Sequence, residues 1–295
     1  MPKRFSGLWP AMVTPIGADG QPDLDACERL VDVFARQKLD GIYLAGSTGQ
    51  WPLLSLEDRR VIAERVVKAA AGRLPVMVHV GAIATADAVA LAKHAARIGA
   101  DAISAVGPIY YSYAPEAVFD YYRQIGAATE LPLFGYHLSS AGRLPIPPRE
   151  YALRILEVPN IAGMKITDHD LFPFGLIRSV AGDRLQLFSG ADEVMCHAVL
   201  SGAVGAIGTF YNVWGHECKA ARAATAAGDV ATGFAFMQRF QPAIADAIAG
   251  GMWSFLRAAI RMKHGIDVGM PRPPLGSADR TWKDDDVIRI LERVA

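Results

Sequence analysis

Cysteine is scarce in this chain. Cys27, Cys196 and Cys218 form an odd set with no CxxC spacing. That argues against a disulfide scaffold and a zinc ribbon, and it fits a reducing cytoplasm. Net charge is missing as well: 30 Lys+Arg balance 30 Asp+Glu. A nucleic-acid binder held by a general basic field is therefore not expected, nor is a polybasic membrane anchor. No stretch reaches the roughly 18 uninterrupted apolar residues of a membrane-crossing helix. At the start, Lys3 and Arg4 precede an apolar stretch, as in a secretory leader, but Pro10 and Pro15 break it and no A-x-A pattern closes it. A first buried strand is the expectation. The seven histidines include no HxH or HExxH pair. Hydrophobic residues make up 52% and charged residues 20% of the 295, a balance that excludes disorder and allows a large core.

The dominant pattern is a short apolar run followed by a helical segment, recurring roughly every 30 residues as βα units do. Eight runs occur, at 8–15, 41–46, 75–81, 101–108, 132–137, 161–166, 185–190 and 203–210. None alternates strictly between apolar and polar, so burial on both faces is expected, as in a parallel sheet covered by helices. Helix starts are marked by Ser55 with Asp58 three residues on, by Thr85 as an N-cap ahead of 86–98, and by Pro115-Glu116. Eight units in series predict a (β/α)8 barrel over residues 1–225; a doubly wound sheet is the alternative, because periodicity cannot show closure. Helices at 229–249, 252–264 and 284–294 predict a helical extension over 226–295.

In such a barrel the active site lies where strands end and βα loops begin. Strand two ends in Gly46-Ser47-Thr48-Gly49, strand four near Tyr110-Tyr111, strand five in Tyr136-His137 and strand six in Lys165-Ile166-Thr167. Strand seven ends in Gly190-Ala191-Asp192-Glu193, and strand eight in Gly208-Thr209. Lys165 is the only lysine that closes an apolar strand. A desolvated lysine can attack a carbonyl; equally, it can be paired with Asp192 or Glu193. The 46–49 turn lacks the GK[ST] ending of a P-loop. Its hydroxyls and backbone N–H groups could hold a carboxylate, or it could be a plain turn. Tyr136 could shuttle protons, with Tyr110 or Tyr111, or could simply pack. Thr167-Asp168-His169-Asp170 reads as a solvated loop before it reads as a metal site. The glycines at 202, 205 and 208 do not form GxGxxG and suit a small-residue strand that packs closely.

Taken together, these segments resemble the dihydrodipicolinate synthase / N-acetylneuraminate lyase family of class I aldolases. GSTGQ (46–50) is similar to its G-[ST]-T-G-E, Tyr136 to its catalytic tyrosine, and GMKI (163–166) to its Schiff-base lysine segment. HVGAIATA (79–86), DAISAVGPIYY (101–111), SGADE (189–193) and GTFYNVWG (208–215) resemble the N-acetylneuraminate lyase branch most. The synthase branch usually carries an arginine five residues after the tyrosine, where this chain has Ala141, with Arg143 two residues beyond. Gln50 replaces the usual glutamate, and Tyr136-His137-Leu138-Ser139 replaces Tyr-Asn-Ile-Pro.

The resemblance implies a barrel enzyme that makes or breaks a C–C bond between pyruvate and an aldehyde. Lys165 would form the Schiff base, so neither metal nor organic cofactor is needed. Tyr136, Ser47 and Tyr110, the last from a neighbouring subunit, would move protons. Ser47 and Thr48 would hold the carboxylate, with Gly46 and Gly49 letting the backbone approach it. Thr167, Gly190, Asp192, Glu193, Thr209 and Tyr111 would face the rest of the substrate. A homotetramer built as a dimer of dimers is implied too. Sugar-acid aldolases or dehydratases, the synthase itself, a metal-dependent barrel enzyme and a ligand-binding relative without turnover are the other readings.

Overall fold

The computed structural model describes residues 4–295 of the chain; Lys3 lies outside the described residues. Its eight strands are β1 (Gly7–Pro10), β2 (Ile42–Leu44), β3 (Val76–His79), β4 (Ala102–Val106), β5 (Leu133–Leu138), β6 (Ile161–Thr167), β7 (Gln186–Ser189) and β8 (Gly205–Gly208). All pairings are parallel, in the order β1-β8-β7-β6-β5-β4-β3-β2. One parallel bridge, Ala11 to Tyr43, closes the remaining seam, and the Met12 N–H donates to the Tyr43 carbonyl at 2.9 Å. The sheet is thus a closed (β/α)8 barrel and not a doubly wound sheet.

Helices α1 (Leu24–Arg36), α2 (Leu56–Ala70), α3 (Thr85–Arg97), α4 (Pro115–Gly126), α5 (Pro148–Ile155), α6 (Leu171–Ala181), α7 (Met195–Leu200) and α8 (Tyr211–Ala226) follow the strands in turn. Three more, α9 (Val230–Ala249), α10 (Met252–His264) and α11 (Asp284–Val294), complete the chain. The Ser55 capping box is present: the Asp58 N–H donates to Ser55 Oγ at 3.0 Å, and the Ser55 N–H donates to Asp58 Oδ2 at 2.9 Å. The expected cap at Thr85 is corrected. Thr85 is already helical, and Ala84 occupies the cap without a side-chain bond; Asp87 in the first turn complements the helix dipole instead. Among the described residues no single helix is long and apolar enough to cross a membrane; α9 and α10 pass that test only as a pair bent by 119°.

Burial divides the molecule into two layers. Leu44, Leu133, Met164 and Leu187 point outward into the core shared with the helices. Trp9, Tyr43, Phe134 and Phe188 point inward and fill the barrel. Alternation along each strand produces this division. The inner aromatics meet edge to face, Trp9 on Phe188 at 6.0 Å and Phe134 on Phe188 at 5.8 Å. Glycine makes room for them: a Cβ on Gly163 would overlap the Phe134 ring, and one on Gly205 the Phe188 ring. The small-residue reading of β8 therefore holds. Above this filled floor, Ser47, Tyr136, Lys165 and Thr167 gather at the C-terminal ends of the strands.

Candidate active site

Tyr136 and Lys165 are direct neighbours across β5 and β6. Both side chains point inward, since Met164 and Ile166 on either side of the lysine face the helices. Lys165 is 4% exposed and Tyr136 2%. The Lys165 Nζ lies 4.4 Å from the ring centres of both Tyr43 and Tyr136. Among the described residues it belongs to no ion pair, so pairing with Asp192 or Glu193 is not its role in this chain.

The turn after β2 faces this pair. Ser47 Oγ is 3.4 Å from the Tyr136 hydroxyl. Thr48 Oγ1 and Thr209 Oγ1 share a hydrogen bond of 2.7 Å. Behind the turn, the Thr14 hydroxyl donates to the Gly49 carbonyl at 2.9 Å. Ala45 and Gln50, at the two ends of the turn, hold φ of 54° and 53°. Left-handed backbone is uncommon for residues other than glycine, so the turn is shaped by its surroundings and is not a plain one.

The opposite wall comes from β6, β7 and β8. The Thr167 Oγ1 is buried and has no hydrogen-bond partner. Gly190 packs so closely on Thr167 that a Cβ there would overlap the hydroxyl. Asp192 is buried; its Oδ2 accepts from the Phe210 N–H at 2.8 Å, while Oδ1 packs against Gly208 with the buried Tyr211 hydroxyl beside the carboxyl. Burial pushes the Asp192 carboxyl up to about 7, and Glu193 adds to the effect. Glu193 is half-exposed and pairs with His169 Nε2 at 3.3 Å, while α9 supplies Gln241, which donates to the Glu193 carbonyl at 2.6 Å. The 167–170 loop thus meets an acid through His169, and among the described residues no group of three metal-ligating side chains converges.

The tyrosines after β4 behave differently. Tyr111 lines a cavity of about 260 Å³ with Tyr136, His137 and Arg143. Tyr110 does not line it: it is 86% exposed, has φ of 84° and touches Tyr111 edge-on at 5.0 Å. Within one chain, then, Tyr110 is not brought to Tyr136.

Residues 4–293 match the dihydrodipicolinate synthetase family. The chain belongs to that family. Within it the chain is an N-acetylneuraminate-lyase-like aldolase, a carbon–carbon lyase. The N-acetylneuraminate lyase of Rhizobium meliloti (strain 1021) is 34% identical, over 99% of this chain and 95% of that protein. That of Enterobacter sp. (strain 638) is 32% identical, over 93% and 92%. Among solved structures, the N-acetylneuraminate lyase of Mycoplasma synoviae superposes with a TM-score of 0.87 at 31% identity, over 98% of this chain and 96% of that one. The Proteus mirabilis N-acetylneuraminate lyase gives 0.88 at 28%, over 99% and 98%.

Several site-forming residues escaped the sequence reading. Tyr43 is the second aromatic face on Lys165. Asn212 donates to the Ala11 and Thr209 carbonyls and accepts from the Val13 N–H, tying β8 to β1. His79 and Arg59 form a buried polar pair beneath the 46–49 turn. A histidine inside the apolar run 75–81 was the one visible signal for the last of these.

Proposed function

We propose that this chain is a Schiff-base lyase that cleaves or forms the C–C bond between pyruvate and a sugar aldehyde, with N-acetylmannosamine as the leading partner. The observation that carries the reading is the pairing of Lys165 with Tyr136 inside the barrel mouth, Ser47 beside the phenol and no carboxylate on the amine. The names of the relatives point to the same chemistry.

In the cleavage direction the neutral Lys165 amine adds to the keto carbon. Tyr136 passes a proton to the oxygen, water leaves, and an iminium results. Tyr136 then takes the proton of the C4 hydroxyl. The C3–C4 electron pair flows into the iminium, the aldehyde leaves, and an enamine remains. Protonation at C3 and hydrolysis release pyruvate and restore the lysine. The lysine supplies the electron sink, so no cofactor is required. Ser47, Thr48 and the N–H groups around Gly46 and Gly49 hold the carboxylate. Thr167, Gly190, Asp192, Glu193 and Thr209 face the sugar hydroxyls, and Tyr111 lines the outer side. The buried, unpartnered Thr167 Oγ1 supports that assignment, because such an atom costs stability unless a ligand satisfies it. The exposed Tyr110 supports a homotetramer in which it completes a neighbour's relay. Three buried free thiols support a cytoplasmic location.

Incubation with pyruvate and borohydride should reduce the imine onto Lys165, seen by peptide mass. Pyruvate bound with Lys165 unmodified would sink the mechanism. Tyr136→Phe should lower turnover by about 10²-fold or more while trapping falls far less; equal losses would remove its shuttle role. A panel of N-acetylmannosamine, free aldoses, aspartate semialdehyde and 2-keto-3-deoxy acids assigns the partner.

A further inference from the structure

We infer that His79 is a positioning residue for the substrate carboxylate: its imidazole clamps the backbone at the entrance of the 46–49 turn to the end of β4. The inference rests on reading that turn as the carboxylate-binding one.

The ring is fully enclosed and bonded at both nitrogens. The Val106 N–H points at His79 Nε2 at 3.1 Å, and the Ala45 carbonyl lies 3.1 Å from Nδ1. An amide N–H can only donate, so Nε2 must carry a lone pair. A carbonyl can only accept, so Nδ1 must carry the proton. The surroundings therefore select one neutral tautomer. Arg59 enforces it. Its guanidinium is buried against the strand end, donating to the His79 carbonyl at 2.7 Å and the Gly81 carbonyl at 2.9 Å. A cation 3.5 Å from Nδ1 opposes a second proton on the ring.

The carbonyl held by this bond belongs to Ala45, the residue at φ of 54° immediately before Gly46-Ser47-Thr48. A left-handed alanine is disfavoured by its Cβ and persists only where neighbours over-determine it. His79 is one such neighbour. Trp51, just beyond the turn, is another: its ring packs at a tilt of 48° against the imidazole at 5.5 Å and carries Arg59 over its face at 5.5 Å. The buried histidine thus sets the direction of the Ser47 and Thr48 groups without touching the substrate itself.

Two substitutions separate this role from bulk stability. His79→Asn places an amide N–H near the Nδ1 position and keeps the Ala45 bond alone. His79→Gln places an amide oxygen near Nε2 and keeps the Val106 bond alone. Each loses one buried hydrogen bond, so thermal midpoints should fall comparably. The readout is the pyruvate concentration that half-saturates borohydride trapping at Lys165. His79→Gln should raise it about tenfold, and His79→Asn about twofold or less, with maximal trapping rates little changed. Adding Ala45→Gly to His79→Gln should restore most of the loss, because glycine adopts the left-handed conformation unaided. Equal shifts in both variants, no shift in either, or a change in maximal rate alone would overturn the inference while leaving the Schiff-base reading intact. Absence of trapping in the unaltered enzyme would overturn both. A further measurement needs no folded variant: in unaltered protein labelled with 15N-histidine, His79 should carry its proton on Nδ1. An Nε2–H ring or an imidazolium there would end the proposal.

Discussion

Asp192, just after β7, and His79, at the end of β3, are both buried and pull on stability in opposite directions. Burial holds the Asp192 carboxyl up to about 7. Between an unfolded value of roughly 4 and that point, the folded chain keeps a proton that the unfolded chain has lost, so stability falls as pH rises. Burial, reinforced by Arg59 and Lys165, holds the His79 imidazole well below its ordinary range. Below about pH 6.5 the unfolded chain takes up a proton that the folded one refuses, so stability falls as pH drops. Over about pH 5 to 6 the two slopes oppose each other. Asp192→Asn should make the pH dependence of unfolding free energy more positive by up to about 1.4 kcal/mol per pH unit, and His79→Asn more negative by as much. Denaturant unfolding across that window checks both signs.

At the scale of elements, the turn after β2 is tied to a segment far along the chain. The Gln50 amide donates to the Thr14 carbonyl at 3.2 Å, and its oxygen accepts from the Arg272 N–H at 2.8 Å. The Arg272 side chain donates to the Gly20 and Leu53 carbonyls and pairs with Asp58 at 2.6 Å, both side chains being mostly buried. Arg272→Ala should cost about 2–3 kcal/mol, more than a surface ion pair, because it strands buried acceptors and a carboxylate. Ser55→Ala, which removes a cap on the same α2 start, should cost about 1 kcal/mol. Thermal or denaturant midpoints separate the two. The turn itself was legible in the sequence because Gly-Ser-Thr-Gly chemistry is local. Arg272 was not, since nothing in Gln50 marks a partner 222 residues away. The replacement of the usual glutamate by Gln50, noted only as a departure, is satisfied by this amide's donor and acceptor together.

At the scale of the whole molecule, eight apolar runs spelled out the barrel because both faces of each strand are buried. Closure was not legible: it depends on Ala11 meeting Tyr43, a contact no periodicity encodes. The lysine, the phenol and the acids could be placed from strand ends alone. The buried His79–Arg59 pair could not, because His79 on β3 and Arg59 on α2 meet only in the folded chain. Tyr110 belongs to this scale as well. If it serves a neighbour's site, Lys165→Ala and Tyr110→Ala enzymes, each inactive alone, should regain activity when their subunits are mixed. Random exchange leaves about a quarter of sites with both residues intact. No recovery after verified exchange would place Tyr110 outside the relay.

The seam between β1 and β2 is held by two backbone bonds, Asp40 N–H to the Leu8 carbonyl and Met12 N–H to the Tyr43 carbonyl, whereas the neighbouring strands are laced by ladders. The Tyr43 ring is also a face on which Lys165 sits. Breathing of the barrel at its thinnest point therefore displaces the lysine's platform. The deuterium uptake of a single amide, Met12, becomes a clock for that motion, and a ligand anchored on Lys165 should slow it.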